Sequence, residues 1–257
     1  MGRPLEGVTV VVTRPSEQSG DLLGMLEARG AVPLLAPAIR TSGAPGSRLA
    51  RAADELAAGG FAWAVFTSRA GVEAVMERLN GRPLRASVAA VGDGTATALR
   101  RLGVEPDLVP STFTTAALAR AMPKGTGRVL LARADIAPEG MESELERKGW
   151  TPFRVEAYRT SFAHRLPAGV GRAIREGSVD AVTFTSASTV TGFAGVATGA
   201  LAEAPRRPRV VCIGPVTARA ARETGWRVDA VARPHTIEGL VAALERLFAE
   251  RPRRPER

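Results

Sequence analysis

Apolar and polar residues follow one another in short blocks along this chain. "VTVVV" (8–12) is a β-branched run of the kind that forms a strand buried on both faces. "QSGDLLGMLEARG" (18–30) has Leu22, Leu23 and Leu26 at helical spacing, with Gly30 placed to stop the helix. "AVPLLAPAIRT" (31–41) returns to strand character. Strand and helix signals alternate onward from there, which predicts an α/β fold of parallel sheets flanked by helices.

The pattern then recurs. Residues 8–41 match 127–160, and Arg14, Gly30, Pro33, Arg40 and Thr41 fall on Arg133, Gly149, Pro152, Arg159 and Thr160 at one constant spacing. "VFTSRAGVEAV" (65–75) falls on "TFTSASTVTGF" (183–193). Gly92, Thr95, Arg100 and Gly103 meet Gly214, Thr217, Arg222 and Gly225, while Thr114 meets Thr236 and Leu118 meets Leu240. Identities are sparse, but the same strand-to-helix junctions recur in the same order. Two similar α/β units are the economical inference.

The seam between them has two readings. "APAIRT" and "EAYRTSF" are equivalent in the repeat, and each is followed by a turn-rich connector, "SGAPGS" (42–47) and "AHRLPAG" (163–169). If these two stretches pair, they form a two-stranded ladder joining the domains. One domain then holds 1–36 plus 164–257 and the other 45–155, with 37–44 and 156–163 as linker strands. A tandem split near residue 125 is the alternative.

Composition narrows the chemistry. The formal charge is +9 from 35 Lys and Arg against 26 Asp and Glu, and the terminal "RPRRPER" (251–257) supplies +3 of it. That Pro/Arg end is expected to be a disordered tail. The rest of the excess either attracts a polyanion or is plain surface charge in an Arg-rich composition. No basic helix and no aromatic stacking motif points to nucleic acid. A single Cys, Cys212, rules out an internal disulfide, and with only His164 and His235 beside it a Cys/His zinc site is not expected. No secretory h-region opens the chain and no stretch reaches about 18 apolar residues. A cytoplasmic protein without membrane segments is the expectation.

Four strand-to-helix junctions carry small or hydroxyl residues: Thr67–Ser68, Gly92–Thr95, Thr185–Ser188 and Gly214–Thr217. Ligands of open α/β sheets bind outside the carboxyl ends of the strands. Helix starts there present unpaired N–H groups and partial positive charge, suited to carboxylate or phosphate. The bland reading is that Ser and Thr are ordinary N-caps. "VGDGTA" (91–96) holds half of a dinucleotide fingerprint and lacks the third Gly and the following acid. There is no Walker A pattern, no G-x-S-x-G elbow and no metal-binding carboxylate pair. Glu142 and Glu146, one turn apart, read as a solvated helix face. Tyr158, the single Tyr of the chain, is either a half-packed strand aromatic or a phenol able to donate a proton.

The series "VVVTRP", "VFTSRAGVEAV", "AVGDGTATAL", "VEAYRT", "FTSAST", "IGPVTARAA", "RPHTIEGL" resembles the uroporphyrinogen-III synthase family over nearly the whole chain. The resemblance implies two α/β domains joined by a two-stranded ladder, with the first and last parts of the chain sharing a domain, which favours the discontinuous split. It implies cyclisation of hydroxymethylbilane, a linear tetrapyrrole with eight carboxylates, to uroporphyrinogen III. Ring D is inverted through a spiro intermediate after water is lost. No cofactor and no metal are expected. A monomer is expected, with transient contact to the preceding enzyme of the pathway.

The same resemblance assigns candidate roles. Tyr158 matches the family's cleft Tyr and would assist loss of the hydroxyl. Thr217 matches a Thr facing the substrate, within a turn that includes Gly214, Pro215, Val216 and Ala218. Ser186 matches a cleft Ser, with Thr185, Ala187 and Ser188 around it. Thr67, Ser68, Gly92 and Thr95 are the counterparts in the other domain. Arg14 and Arg69 are candidate carboxylate partners. Asp93, an odd neighbour for an anionic substrate, reads as a helix-capping acid. Two other functions stay open on the residues alone: a non-catalytic binding module for a small anionic ligand, and a regulatory protein that reuses the fold.

Overall fold

The computed structural model describes residues 3–44 and 47–249, so the tail expected at 251–257 lies outside the described residues. In chain order the elements are β1 Thr9–Val12, α1 Gly20–Ala28, β2 Val32–Leu35, β3 Ile39–Gly43, α2 Ser47–Ala58, β4 Trp63–Phe66, α3 Arg69–Leu79, β5 Ser87–Ala90 and α4 Asp93–Arg101. They continue as α5 Thr115–Ala121, β6 Arg128–Ala134, α6 Met141–Arg147, β7 Thr151–Phe162, α7 Ala168–Arg175, β8 Ala181–Phe184, α8 Ala187–Glu203, β9 Arg209–Cys212, α9 Pro215–Glu223, β10 Ala230–Val231 and α10 Ile237–Ala249. The chain divides into two compact units, Met1–Arg40 with Ser161–Arg257 (unit 1) and Thr41–Thr160 (unit 2).

Unit 1 is built on a parallel sheet of order β10-β9-β8-β1-β2. Helices α7, α8 and α9 cover one face with Val170, Ile174, Val190, Phe193 and Ala218. Helices α1 and α10 cover the other with Leu22, Leu26, Leu240, Leu244 and Phe248. The few aromatics are concentrated on the first face, where Phe184, Phe193 and Trp226 have ring centroids 5.6–5.9 Å apart. Burial of each such side chain is worth about 1.5–3 kcal/mol.

The sheet of unit 2 has the order β3-β7-β6-β4-β5. Strands β4 to β7 are parallel. Helices α2, α3 and α4 pack on one face through Leu49, Leu56, Val72, Val75 and Leu99, and α5 and α6 on the other through Leu118, Met141 and Leu145. Strand β3 makes the sheet mixed. Ala163 N–H donates to the Ala38 carbonyl (2.9 Å) and Ala44 N–H to the Ala157 carbonyl (3.4 Å), so β3 and β7 run antiparallel. These neighbouring strands carry the chain across the boundary between the units. The expected α/β fold, two similar sheets with flanking helices and a two-stranded ladder, is present, with the correction that the antiparallel β3 makes the second sheet mixed.

The repeat holds at the level of individual bonds. Thr9 pairs with Val32 in unit 1, and Arg128 with Thr151 in unit 2. Thr183, Val211 and Ala230 line up across β8, β9 and β10 as Val65, Ala89 and Leu108 do in the other sheet. Val88 N–H donates to Asp107 Oδ2 at 2.7 Å, and Val210 N–H to Asp229 Oδ2 at 2.8 Å. Thr114 and Thr236 each cap a following helix, accepting from Ala117 (3.0 Å) and Gly239 (3.1 Å). Among the described residues no helix is long and apolar enough to cross a membrane.

Candidate active site

In unit 2 the site is built around the end of β7. In a regular strand alternate residues share a face, which would send Tyr158 to the side opposite Val155 and Ala157. The register between β6 and β7 shifts there: Arg133 pairs with Glu156, and the next residue, Ala134, pairs with Tyr158. Ala157 is the extra residue of a β-bulge, and bulges re-aim the side chains that follow them. Tyr158 accordingly packs on the α2–α4 face with Val155 and Ala157. Arg159 and Glu156 share the other face and pair at 2.6 Å, a contact that i and i+3 could not make in an unbulged strand.

The bulge sets the Tyr158 phenol beside the β4–α3 junction, close enough for the Ser68 side chain to act on it. Ser68 is the N-cap of α3, in extended backbone, and its Oγ accepts from Gly71 N–H at 3.1 Å. Burial pushes the phenol above its ordinary range and nearby Asp135 adds to this, while the Ser68 side chain and the Arg133 charge oppose it. A phenol is protonated at neutral pH in any case, and the upward shift holds Tyr158 further in that form, able to donate a hydrogen bond. Thr67 and Arg69 flank Ser68, both half-buried.

Arg133 is 2% exposed. Its Nη1 donates to both oxygens of Glu142 at 3.1 and 3.2 Å, and Arg154 reaches Glu142 at 3.5 Å. Arg133 Nε is buried without a hydrogen-bond partner. The expectation of a solvated face at Glu142 is therefore corrected: that carboxylate turns inward because the buried guanidinium needs a counter-charge, and only Glu146 is exposed.

The second junction of unit 2 starts α4. Gly92 is its N-cap in fully extended backbone, and the need for glycine is steric, since a Cβ would lie 2.7 Å from the Phe113 ring. Thr95 is 7% exposed and points inward. Asp93 is exposed in the first turn, where a carboxylate complements the helix dipole.

Unit 1 repeats both junctions with different chemistry. Ser186 caps α8 in a capping box: its Oγ accepts from Thr189 N–H (3.2 Å) while Thr189 Oγ1 accepts from Ser186 N–H (3.2 Å). Ser188 Oγ lies 3.0 Å from Ser186 Oγ. Thr185 and Ala187 are half-buried beside them. At the start of α9, Gly214 is the N-cap and Pro215 occupies the first helical position. Thr217 is 4% exposed and Ala218 buried, so Pro215 and Val216 form the open part of that turn. Arg14 is half-buried just beyond β1.

Other reactive groups are tied up. Burial pushes the Cys212 thiol up to about 12, which leaves it no nucleophile at neutral pH. His235 Nδ1 donates to the Ala232 carbonyl at 2.7 Å. Among the described residues no group of three His, Cys, Asp or Glu could hold a metal ion. The structure thus joins Tyr158 to Ser68 and adds Arg133, Asp135 and Glu142, which sequence reasoning missed. The one visible signal was the repeat pair Arg14/Arg133.

Residues 21–242 match the family described as "Uroporphyrinogen-III synthase HemD". The chain belongs to the uroporphyrinogen-III synthase family. It is 32% identical over 95% of its length to a porphyrin biosynthesis protein HemD from Ruminiclostridium josui, of which it spans about half (49%). It is 28% identical to a uroporphyrinogen-III synthase from Synechococcus elongatus, with 95% of this chain and 96% of that one covered. A crystal structure of a mutant uroporphyrinogen III synthase from Thermus thermophilus shares the fold, with TM-score 0.67 at 24% identity over 95% of this chain and all of that one.

Proposed function

We propose that this member of the family catalyses the closure of hydroxymethylbilane to uroporphyrinogen III, as a cyclising hydro-lyase. The family match carries the reaction, and the bulge that delivers the chain's single Tyr to a helix start carries the mechanism. The terminal C–O bond breaks, the oxygen leaves as water once protonated, and the bilane is left as an azafulvene cation. The substituted carbon of ring D attacks that cation, the spiro intermediate fragments by breaking the bond from that carbon to ring C's bridge, and the free α-carbon of ring D recloses on the bridge and loses its proton, which restores the neutral pyrrole.

Tyr158 donates its hydrogen bond to the departing oxygen, a bond that strengthens as negative charge grows there. Ser68 and Arg133 favour the developing phenolate, in the direction both act on the phenol. Positioning is the larger contribution, worth up to about 7–11 kcal/mol in favourable intramolecular cases. Its handles are the eight carboxylates. First-turn N–H groups of α3, α4, α8 and α9 have no partner within their helices and suit those carboxylates, with Arg14 and Arg69 as charged partners. This explains why hydroxyl residues and glycine stand at the junctions. Thr95 and Thr217, being buried, shape the first turns more than they touch ligand.

The units serve as the two domains, 1–36 with 164–257 and 45–155, linked through 37–44 and 156–163. The protein works as a cytoplasmic monomer fed by the enzyme that makes the bilane. Purified protein given freshly generated hydroxymethylbilane is expected to yield the type III isomer. Recovery of type I alone would overturn the assignment and leave the non-catalytic anion-binding module as the better reading.

A further inference from the structure

Strand β6 ends at Ala134, but β7 continues to Phe162. Beyond the Ala134–Tyr158 pair no β6 residue remains to accept from the next inward N–H of β7. Asp135 takes over. Its N–H donates to the Tyr158 carbonyl at 3.2 Å, and its Oδ1 accepts from Thr160 N–H at 3.0 Å. The carboxylate thus stands in for the ladder bond that the end of β6 would leave unmade, and the two bonds enclose Arg159, fixing the strand immediately after Tyr158.

A bulge has no side-chain periodicity to hold it, so a strand slipping by one residue would restore regular pleating and turn every later side chain over. For Tyr158 that slip means leaving Ser68 for the α5–α6 face. The bonds made by Asp135 are lost in the slipped register. Asp135 is exposed and serves no core packing, and its repeat equivalent in unit 1, Ser16, opens a short 3-10 turn.

We propose that Asp135 is a positioning residue for the reaction, pinning the β7 bulge so that the Tyr158 hydroxyl stays at Ser68. This rests on the reading of Tyr158 given above. The charged groups facing the phenol are Arg133, one residue before the end of β6, and Asp135 just after it. A merely structural role would lower stability without singling out the Tyr158 environment.

The test uses the full chain, whose one Tyr makes the ultraviolet absorbance of tyrosinate a report on Tyr158 alone. Asp135→Asn keeps an oxygen for Thr160 N–H, while Asp135→Ala removes it. Asp135→Ala is expected to lower kcat by roughly 10- to 100-fold, the scale of a displacement of about 1 Å, with KM little changed. Asp135→Asn is expected to restore most of that loss. The tyrosinate midpoint is expected to fall in both variants, because a negative charge that favours the phenol is gone. Wild-type kcat in Asp135→Ala, or equal losses in both variants, would overturn the pinning role. An unchanged rate in Tyr158→Phe would instead remove Tyr158 from the mechanism, which separates the two failures.

Discussion

Asp107 in unit 2 and Asp229 in unit 1 do the same work: each side chain accepts from the N–H of the neighbouring strand, at 2.7 and 2.8 Å. At the strand ends the units part company. Where unit 2 has Tyr158, unit 1 has Ile39, and where unit 2 has Arg69 and Phe113, unit 1 has Ala187 and His235. The Arg133–Glu142–Arg154 group of unit 2, in which Arg133 is buried, is matched in unit 1 by Arg14 with Leu23 and Leu35, whose leucines pack on the apolar core. The strand bond made by Asp107 and Asp229 has been kept in both copies, whereas Asp180, which accepts from Thr9 N–H just before β8 in unit 1, is matched by Ala62 in unit 2. At the carboxyl ends of the strands the change has been unequal. The phenol proposed to move the proton and its charged surroundings lie in unit 2, whereas unit 1 keeps hydroxyls, Gly and Pro at its helix starts.

The largest way to break this comparison is through the charges. Glu142→Ala leaves the Arg133 guanidinium, 2% exposed, without its main counter-charge. Removing one partner of a buried pair is strongly destabilising. The expected loss is about 3 kcal/mol, at the low end of that class because Glu142 itself is partly exposed. Denaturant unfolding would measure it. A loss under about 0.5 kcal/mol, the scale of an ordinary surface change, would mean that the pair is surface decoration and that the units do not differ in this respect.

A smaller effect sharpens the shared half of the comparison. Asp107→Ala and Asp229→Ala each free one strand N–H and are expected to cost about 1–2 kcal/mol apiece, by nearly equal amounts. Strongly unequal costs would show that the two copies of this bond have diverged in use as well.

Much of the fold was legible because repetition doubles each signal. "VTVVV" with its following Leu spacing, and "FTSRAGV" with "FTSASTV", named strand, junction and helix twice over, and the matched registers of β1–β2 and β6–β7 follow that spacing. The candidate site was legible residue by residue but not in its geometry. Ser68 and Tyr158 were both visible as candidates, yet their proximity depends on a bulge at Ala157, and a bulge leaves no mark on an alternating pattern. Arg133 read as one more strand-end Arg, since sequence does not separate the buried from the half-exposed copy. Glu142 read as solvated because its partner lies on a neighbouring strand. Asp135 has no acidic counterpart in the repeat, so nothing drew attention to it.

The claim that chemistry resides in unit 2, on one phenol, is tested most directly by Tyr158→Phe assayed with fresh hydroxymethylbilane. The variant keeps the ring on its core face and removes only the hydroxyl. The expected result is a kcat lower by roughly 10²–10⁴-fold, the usual scale of general acid assistance, with KM close to wild type and the type III isomer still the product. A variant that turns over at the wild-type rate would contradict the account and return Tyr158 to the standing of a packed strand aromatic.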